Sequence, residues 1–145
     1  MSTAVTRRIR RYGQCLRLVP VLVITIVVEI GLRSTTLPRL ARLLGVRMSV
    51  NGEPVHGAAP PGLTVLSTHR IALYGRTIPR VLRRWPFGDT CLRRALILGF
   101  FIRRVDPVLV IGVRRDETGK IAAHAWLVVA GTTLDPSATR YLPLD

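Results

Sequence analysis

The chain has 145 residues, of which 48% are hydrophobic and 21% charged, a balance typical of one globular domain and contrary to disorder. Lysine and arginine total 22 against 8 acidic residues, so the net charge is +14. Two cysteines, Cys15 and Cys91, are too few for a disulfide scaffold, and no Cys/His quartet indicates a structural zinc. We expect no metal and no cofactor, and a reduced cytoplasmic setting.

The basic excess is almost entirely arginine, since Lys120 is the only lysine. Such a surface attracts polyanions and acidic peptides. The sequence contains no zinc finger and no RNA-binding aromatic motif, so nucleic acid is not an expected partner. A non-catalytic basic adaptor on membrane or nucleic acid remains an alternative.

Residues 1–50 are predicted to form an apolar, helical N-terminal region. The apolar run Leu18–Leu32 follows the basic stretch Arg7–Arg17. As a helix the run would rise about 22 Å, short of the roughly 30 Å hydrocarbon core, and Glu29 inside it would be costly in lipid. We expect a buried helix or strand, with peripheral membrane contact, and export or membrane spanning, as alternatives.

A short second helix should follow, capped by Ser34, Thr35 or Thr36, with Pro38 early and Gly45 as its end. Four leucines would share one of its faces: Leu37, Leu40, Leu43 and Leu44. Residues 51–62 hold three glycines and three prolines, which predicts a loop and the best domain boundary. Residues 63–145 then form the main domain.

This domain is predicted to begin with helices and to end in strands. Leu63–Tyr74 and Ile78–Trp85 should be helical pieces broken near Gly75 and Pro79. A largely buried helix, Cys91–Arg104, follows a cap at Asp89 or Thr90. Strands are predicted at Val108–Val113, Ile121–Val129 and Thr133–Asp135. The order indicates an α+β fold.

Three residues of this domain suggest activated-thiol chemistry. Cys91 lies at the start of a helix, where unpaired N–H groups and the helix dipole favour a thiolate. His124 lies mid-strand on the face of Trp126 and Val128. Asp135, across a turn, could accept a hydrogen bond from the imidazole. Nucleophile, base and orienting acid are the parts of such a site, although each residue alone has a structural explanation.

The segments C-L-R-R-A from Cys91, V-I-G-V-R from Val110 and A-H-A-W from Ala123 resemble the leader-peptidase part of lasso peptide biosynthesis B proteins. That family belongs to the transglutaminase-like cysteine protease superfamily. The resemblance is dense over residues 76–145 and faint before them. It implies a papain-like core, in which a Cys-bearing helix packs on a small antiparallel sheet after an N-terminal helical region.

By this resemblance Cys91 is the nucleophile, His124 the general base and Asp135 the orienting acid. Trp126 and Arg94, in the same motifs, are candidate substrate-binding residues. Rival groups are less favoured: the acids Glu117 and Asp145, the histidines His56 and His69, and the thiol Cys15.

The reaction implied is hydrolysis of one peptide bond, which releases the leader of a ribosomally made lasso peptide precursor. The implied partners are the precursor, a separate leader-recognition protein and an ATP-dependent cyclase. A transglutaminase-like acyltransferase is the enzymatic alternative, because the same triad can pass an acyl group to an amine.

Overall fold

The computed structural model describes residues 3–49, 65–115, 117 and 119–143, with side chains at 18–49, 68–115, 117 and 119–142. The helices are α1 Thr3–Ser34, α2 Leu37–Leu43, α3 Val65–Leu82 and α4 Cys91–Ile102, with 3-10 turns at Arg103–Val105 and Pro136–Arg140. The strands are β1 Arg47–Met48, β2 Val108–Arg115, β3 Ile121–Val129, β4 Thr132–Thr133 and β5 Leu142–Pro143. The predicted α+β class, with a Cys-bearing helix on a small sheet, is confirmed.

The sheet is built around the β2–β3 hairpin. These strands pair antiparallel from Val108↔Val128 to Arg115↔Ile121, and β4 continues the antiparallel order beyond β3. On the other edge of β2, β1 pairs parallel and β5 pairs antiparallel. The sheet is therefore mixed: the expected antiparallel pairing holds among β2, β3, β4 and β5, and β1 adds one parallel strand. A two-residue strand carries too little periodicity for the sequence to reveal it.

Alternation along β3 divides the apolar residues between the two faces of the sheet. Ala125, Leu127 and Val129 belong to the main core, which also takes side chains from all four helices. Trp126 and Val128 belong to a smaller cluster on the opposite face. Because strand side chains alternate, one nine-residue strand contributes to both clusters.

The apolar run Leu18–Leu32 lies within α1 and is buried on one side only. Val21, Thr25 and Val28 are buried and Ile24 is half-buried against the core, whereas Leu22, Val23, Ile26 and Val27 stay exposed. The expectation of a buried helix was thus right for one face and wrong for the other, since the core covers a single stripe of α1. Within the part of the chain that is described, no helix is both long and apolar enough to cross a membrane.

Two further helix predictions need correction. In α2, Leu40 and Leu44 are buried but Leu43 is 79% exposed, because a helix this short offers the core only a narrow stripe. The predicted break at Gly75 and Pro79 is absent, and α3 runs through both. Ile78 and Leu82 are wholly buried on either side of Pro79, so packing outweighs the one hydrogen bond that proline removes in the last turn. Residues 51–62 lie outside the described ranges.

Candidate active site

Cys91 is the first residue of α4. Thr90 is the N-cap in extended conformation, and its Oγ1 accepts a hydrogen bond from the backbone N–H of Arg93 at 3.4 Å. Of the two predicted caps, Thr90 is therefore the one used. The N–H groups of Cys91 and Leu92 precede the first helical bond, which Arg94 donates to Thr90. The half-buried thiol thus lies at the positive end of the helix dipole.

His124 lies on β3, directly opposite Gly112 of β2. Its Nε2 is 2.8 Å from Oδ2 of Asp135, and its side chain is only 15% exposed. The imidazole stacks on the ring of Tyr141 at 4.8 Å and on that of Trp126 at 5.9 Å, measured between ring centroids. The carboxylate, which contacts Nε2, and the two aromatic rings together restrict the orientation of the imidazole.

Asp135 caps a 3-10 turn rather than ending a strand. The predicted strand Thr133–Asp135 is shorter and earlier, at Thr132–Thr133, because Pro136 begins the turn. Oδ1 of Asp135 accepts hydrogen bonds from the backbone N–H of Ser137 at 2.8 Å and from its Oγ at 2.7 Å. Partial burial opposes ionisation, but the hydrogen bonds from Ser137 and His124 outweigh it and lower the pKa of Asp135.

One pocket of about 420 Å³ brings the predicted site residues together. Cys91, His124 and Asp135 all line it, as do Trp126 and Arg94. Most of the other lining residues are apolar, and they include residues of α3, α4, β3 and the turn after β4: Ile78, Pro79, Ala95, Leu98, Ala125, Leu127 and Leu134. The pocket therefore places a thiol, an imidazole and a carboxylate beside a surface suited to apolar side chains.

The two candidate substrate-binding residues differ in their surroundings. Arg94 is half-exposed, and its Nε donates to Oδ1 of Asp89 at 2.6 Å while its Nη2 is paired with Oδ2. Trp126 is 6% exposed and packs against Tyr141 and His124. A contact with substrate stays a prediction for both, and the burial of Trp126 gives it a second role in positioning the imidazole.

A buried ion pair holds the first turn of α4 against α1. Glu29, 6% exposed, has its Oε2 2.9 Å from Nε of Arg93 and its Oε1 2.9 Å from Nε of Arg33. The hydrogen bond from Arg93 lowers the pKa of Glu29, and the bond from Arg33 adds to it against the cost of burial. Because Arg93 is two residues after Cys91, this pair helps to fix the start of the helix that carries Cys91.

Sequence reasoning missed Ser137, Tyr141 and the Glu29–Arg93 pair. The spacing Asp135-x-Ser137 is a turn signal that could have indicated Ser137, whereas the pair joins residues 64 positions apart and leaves no local pattern. Among the rivals, Glu117 and His69 are exposed and do not line the pocket. His56, Asp145 and the side chain of Cys15 lie outside the described residues. In the ranges that are described, no three potential metal-ligating side chains cluster.

Comparison with known proteins agrees with this architecture. The family model described as "Transglutaminase-like superfamily" matches residues 33–144, from the end of α1 to the last strand. No curated protein and no solved structure matches the chain. Members of this superfamily are commonly cysteine-dependent enzymes, both peptidases and acyltransferases. Because the match covers well over half of its length, the chain belongs to the transglutaminase-like superfamily.

Proposed function

We propose that this protein is a cysteine peptidase that removes the leader from a lasso peptide precursor, with Cys91 as nucleophile, His124 as base and Asp135 as orienting acid. The observation that carries the proposal is the 2.8 Å contact between His124 and Asp135 in the pocket that Cys91 lines. The motifs around Cys91 and His124, which resemble lasso peptide B proteins, support the substrate class.

In the first half of the reaction the thiol proton of Cys91 passes to Nδ1 of His124, while the Nε2–H group donates a hydrogen bond to the carboxylate of Asp135. The thiolate attacks the scissile carbonyl, and the oxyanion accepts hydrogen bonds from helix-terminal N–H groups such as that of Cys91. One such donor contributes about 3 kcal/mol in known enzymes. The imidazolium then protonates the leaving amine, and the peptide C–N bond breaks.

In the second half water resolves the acyl-enzyme. His124 takes a proton from the water, the hydroxide attacks the thioester carbonyl, and Cys91 leaves as a thiolate that recovers its proton from the imidazolium. Asp135 remains ionised throughout, and its role is to hold the ring and to stabilise its charge.

Substrate recognition is proposed to be shared with other proteins. The precursor would lie extended along the pocket, with an apolar side chain against Ile78 and Leu98. A discrete leader-recognition protein would deliver it, and an ATP-dependent lasso cyclase would close the ring of the released core. Surface arginines would favour an acidic leader or partner.

The first test follows alkylation of Cys91 by iodoacetamide at about pH 6.5, where an ordinary thiol reacts slowly. We expect fast labelling of Cys91 that is lost in His124→Ala, read at the residue by peptide mass spectrometry. Cys15 is the internal control, since it lies in a similar Cys-Leu-Arg string. Equal slow labelling of both cysteines, with and without the recognition protein, would refute the thiol–imidazole pair.

The second test distinguishes the enzyme classes. Purified protein, recognition protein and precursor should release the leader as a free acid, and Cys91→Ala should abolish release while Cys15→Ala retains it. A transferase would incorporate an added primary amine into the acyl donor. Detection of that product would replace the peptidase proposal with the acyltransferase alternative. Release that persists in Cys91→Ala would overturn both.

A further inference from the structure

The outer side of α1 is an uninterrupted aliphatic surface. Between residues 18 and 30 every exposed position of the helix carries a leucine, valine or isoleucine, with exposed fractions from 37% to 60%. These residues form the α1 stripe: Leu18, Val19, Leu22, Val23, Ile26, Val27 and Ile30. Contiguous apolar surface on this scale marks an interaction site in a water-soluble domain.

The stripe is free of charge because the structure turns Glu29 away from it. Glu29 is the only ionisable residue between positions 18 and 32, and it is buried on the other side of α1 with Arg93 and Arg33. A carboxylate on the stripe would be costly next to hydrocarbon. With Glu29 paired inside the protein, the outer face presents aliphatic side chains alone.

The charged residues along the same helix indicate which kind of partner the α1 stripe binds. Helix α1 begins at Thr3, five arginines lie between residues 7 and 17, and Glu29 is the first acidic residue of the chain. Joining two copies through this helix would bring together two chains of net charge +14, whereas an anionic surface neutralises the arginines.

We propose that α1 lies in the plane of an anionic membrane surface, with the α1 stripe in the boundary between headgroups and acyl chains and the arginines that precede it in the chain on lipid phosphates. An interfacial helix of this kind combines an apolar face with basic residues and does not span the bilayer. The opposite side of α1 stays packed in the core. This proposal is independent of the proposed peptidase activity.

The test is flotation of the 145-residue protein with vesicles of phosphatidylcholine containing about a quarter phosphatidylglycerol, and with pure phosphatidylcholine. We expect binding to the anionic vesicles and weaker binding to the neutral ones. Ile30→Asn should weaken the binding to anionic vesicles about tenfold, since it removes an aliphatic anchor. Ile121→Asn is the matched control, because Ile121 is 62% exposed on β3 against 60% for Ile30, and it should bind as the wild type does.

Three results would overturn the proposal. The first is that the protein does not float with anionic vesicles. The second is that Ile30→Asn floats as well as the wild type, which would mean that net charge alone binds the protein to the vesicles. The third is a dimer in light scattering that Ile30→Asn dissociates without any vesicle binding by the wild type, which assigns the stripe to a second copy. Equal thermal unfolding of both variants shows that the comparison is not affected by misfolding.

Discussion

Replacing Arg93 by alanine should destabilise the fold more than replacing Arg33, although both arginines bind the carboxylate of Glu29. The Arg93 side chain is 15% exposed and joins two helices, whereas that of Arg33 is 60% exposed and lies one turn along α1. Removing one partner of a buried ion pair costs about 3–5 kcal/mol. Arg33 remains bonded to Glu29 in the Arg93 variant, so we expect a loss at or just below the lower bound of that range, about 2–3 kcal/mol.

The Arg33 variant provides the matched comparison. An ion pair four residues apart on a helix contributes about 0.3–0.5 kcal/mol when it is exposed to solvent, as the Arg33 side of this pair is. Arg33 also lies over the ring of Phe87 at 4.1 Å, a cation–π contact worth about 0.5–1 kcal/mol when exposed. We therefore expect a loss of about 1 kcal/mol in the free energy of unfolding, measured by urea denaturation at pH 7 with an unchanged m-value.

Acid should reduce the difference between wild type and the Arg93→Ala variant. The folded protein holds the pKa of Glu29 below its usual 4.5, so ionised Glu29 stabilises the fold above that value. This contribution disappears as pH falls through the lowered pKa, and the two proteins converge there. Equal losses for both arginine variants at pH 7, or a gap that persists when Glu29 is protonated, would refute the assigned role of the buried pair.

Three further predictions concern the sheet, α3 and the site. Gly112→Ala should cost more than about 2 kcal/mol by urea denaturation, because its Cβ would come within 2.6 Å of the Leu142 carbonyl oxygen; a stable variant would show that the β2–β5 contact is loose. Gly75→Ala, with open space around its Cβ, should instead stabilise α3 by about 0.5–1 kcal/mol in the same assay, and any loss would contradict this. In a pH profile of precursor cleavage, Asp135 should stay ionised down to pH values below its usual pKa of 3.8. Ser137→Ala removes a hydrogen bond to this carboxylate, so the pH at which cleavage is lost on the acid side should rise; an unchanged acid side of the profile would exclude Ser137 from positioning Asp135.

Local sequence signals were sufficient for the elements that bear the site. A cap at Asp89 or Thr90 before an apolar segment predicted the start of α4 at Cys91, and the apolar segment Ile121–Val129 after a turn predicted β3 with both of its bounds. The turn residues between these elements completed the α+β order. Such features depend on residues within a few positions of one another, and the sequence contains that information directly.

Signals that depend on packing were misleading. Gly75 and Pro79 predicted a break in α3, which the burial of Ile78 and Leu82 overrides. Pro136 was expected to end a strand, but it begins the 3-10 turn that Asp135 caps. In each case the residue is compatible with two local structures, and contacts from elsewhere in the chain select one of them.

The sequence by itself determined the class of the fold, the helix that carries Cys91, the strand that carries His124 and the excess of arginine. Only the tertiary structure decided that Asp135 reaches His124, that Glu29 pairs with Arg93, and which side of α1 stays exposed. The physical reason is that the first group follows from the periodicity and capping of single elements. The second depends on distances between elements far apart in the chain, which exist only once the core has packed.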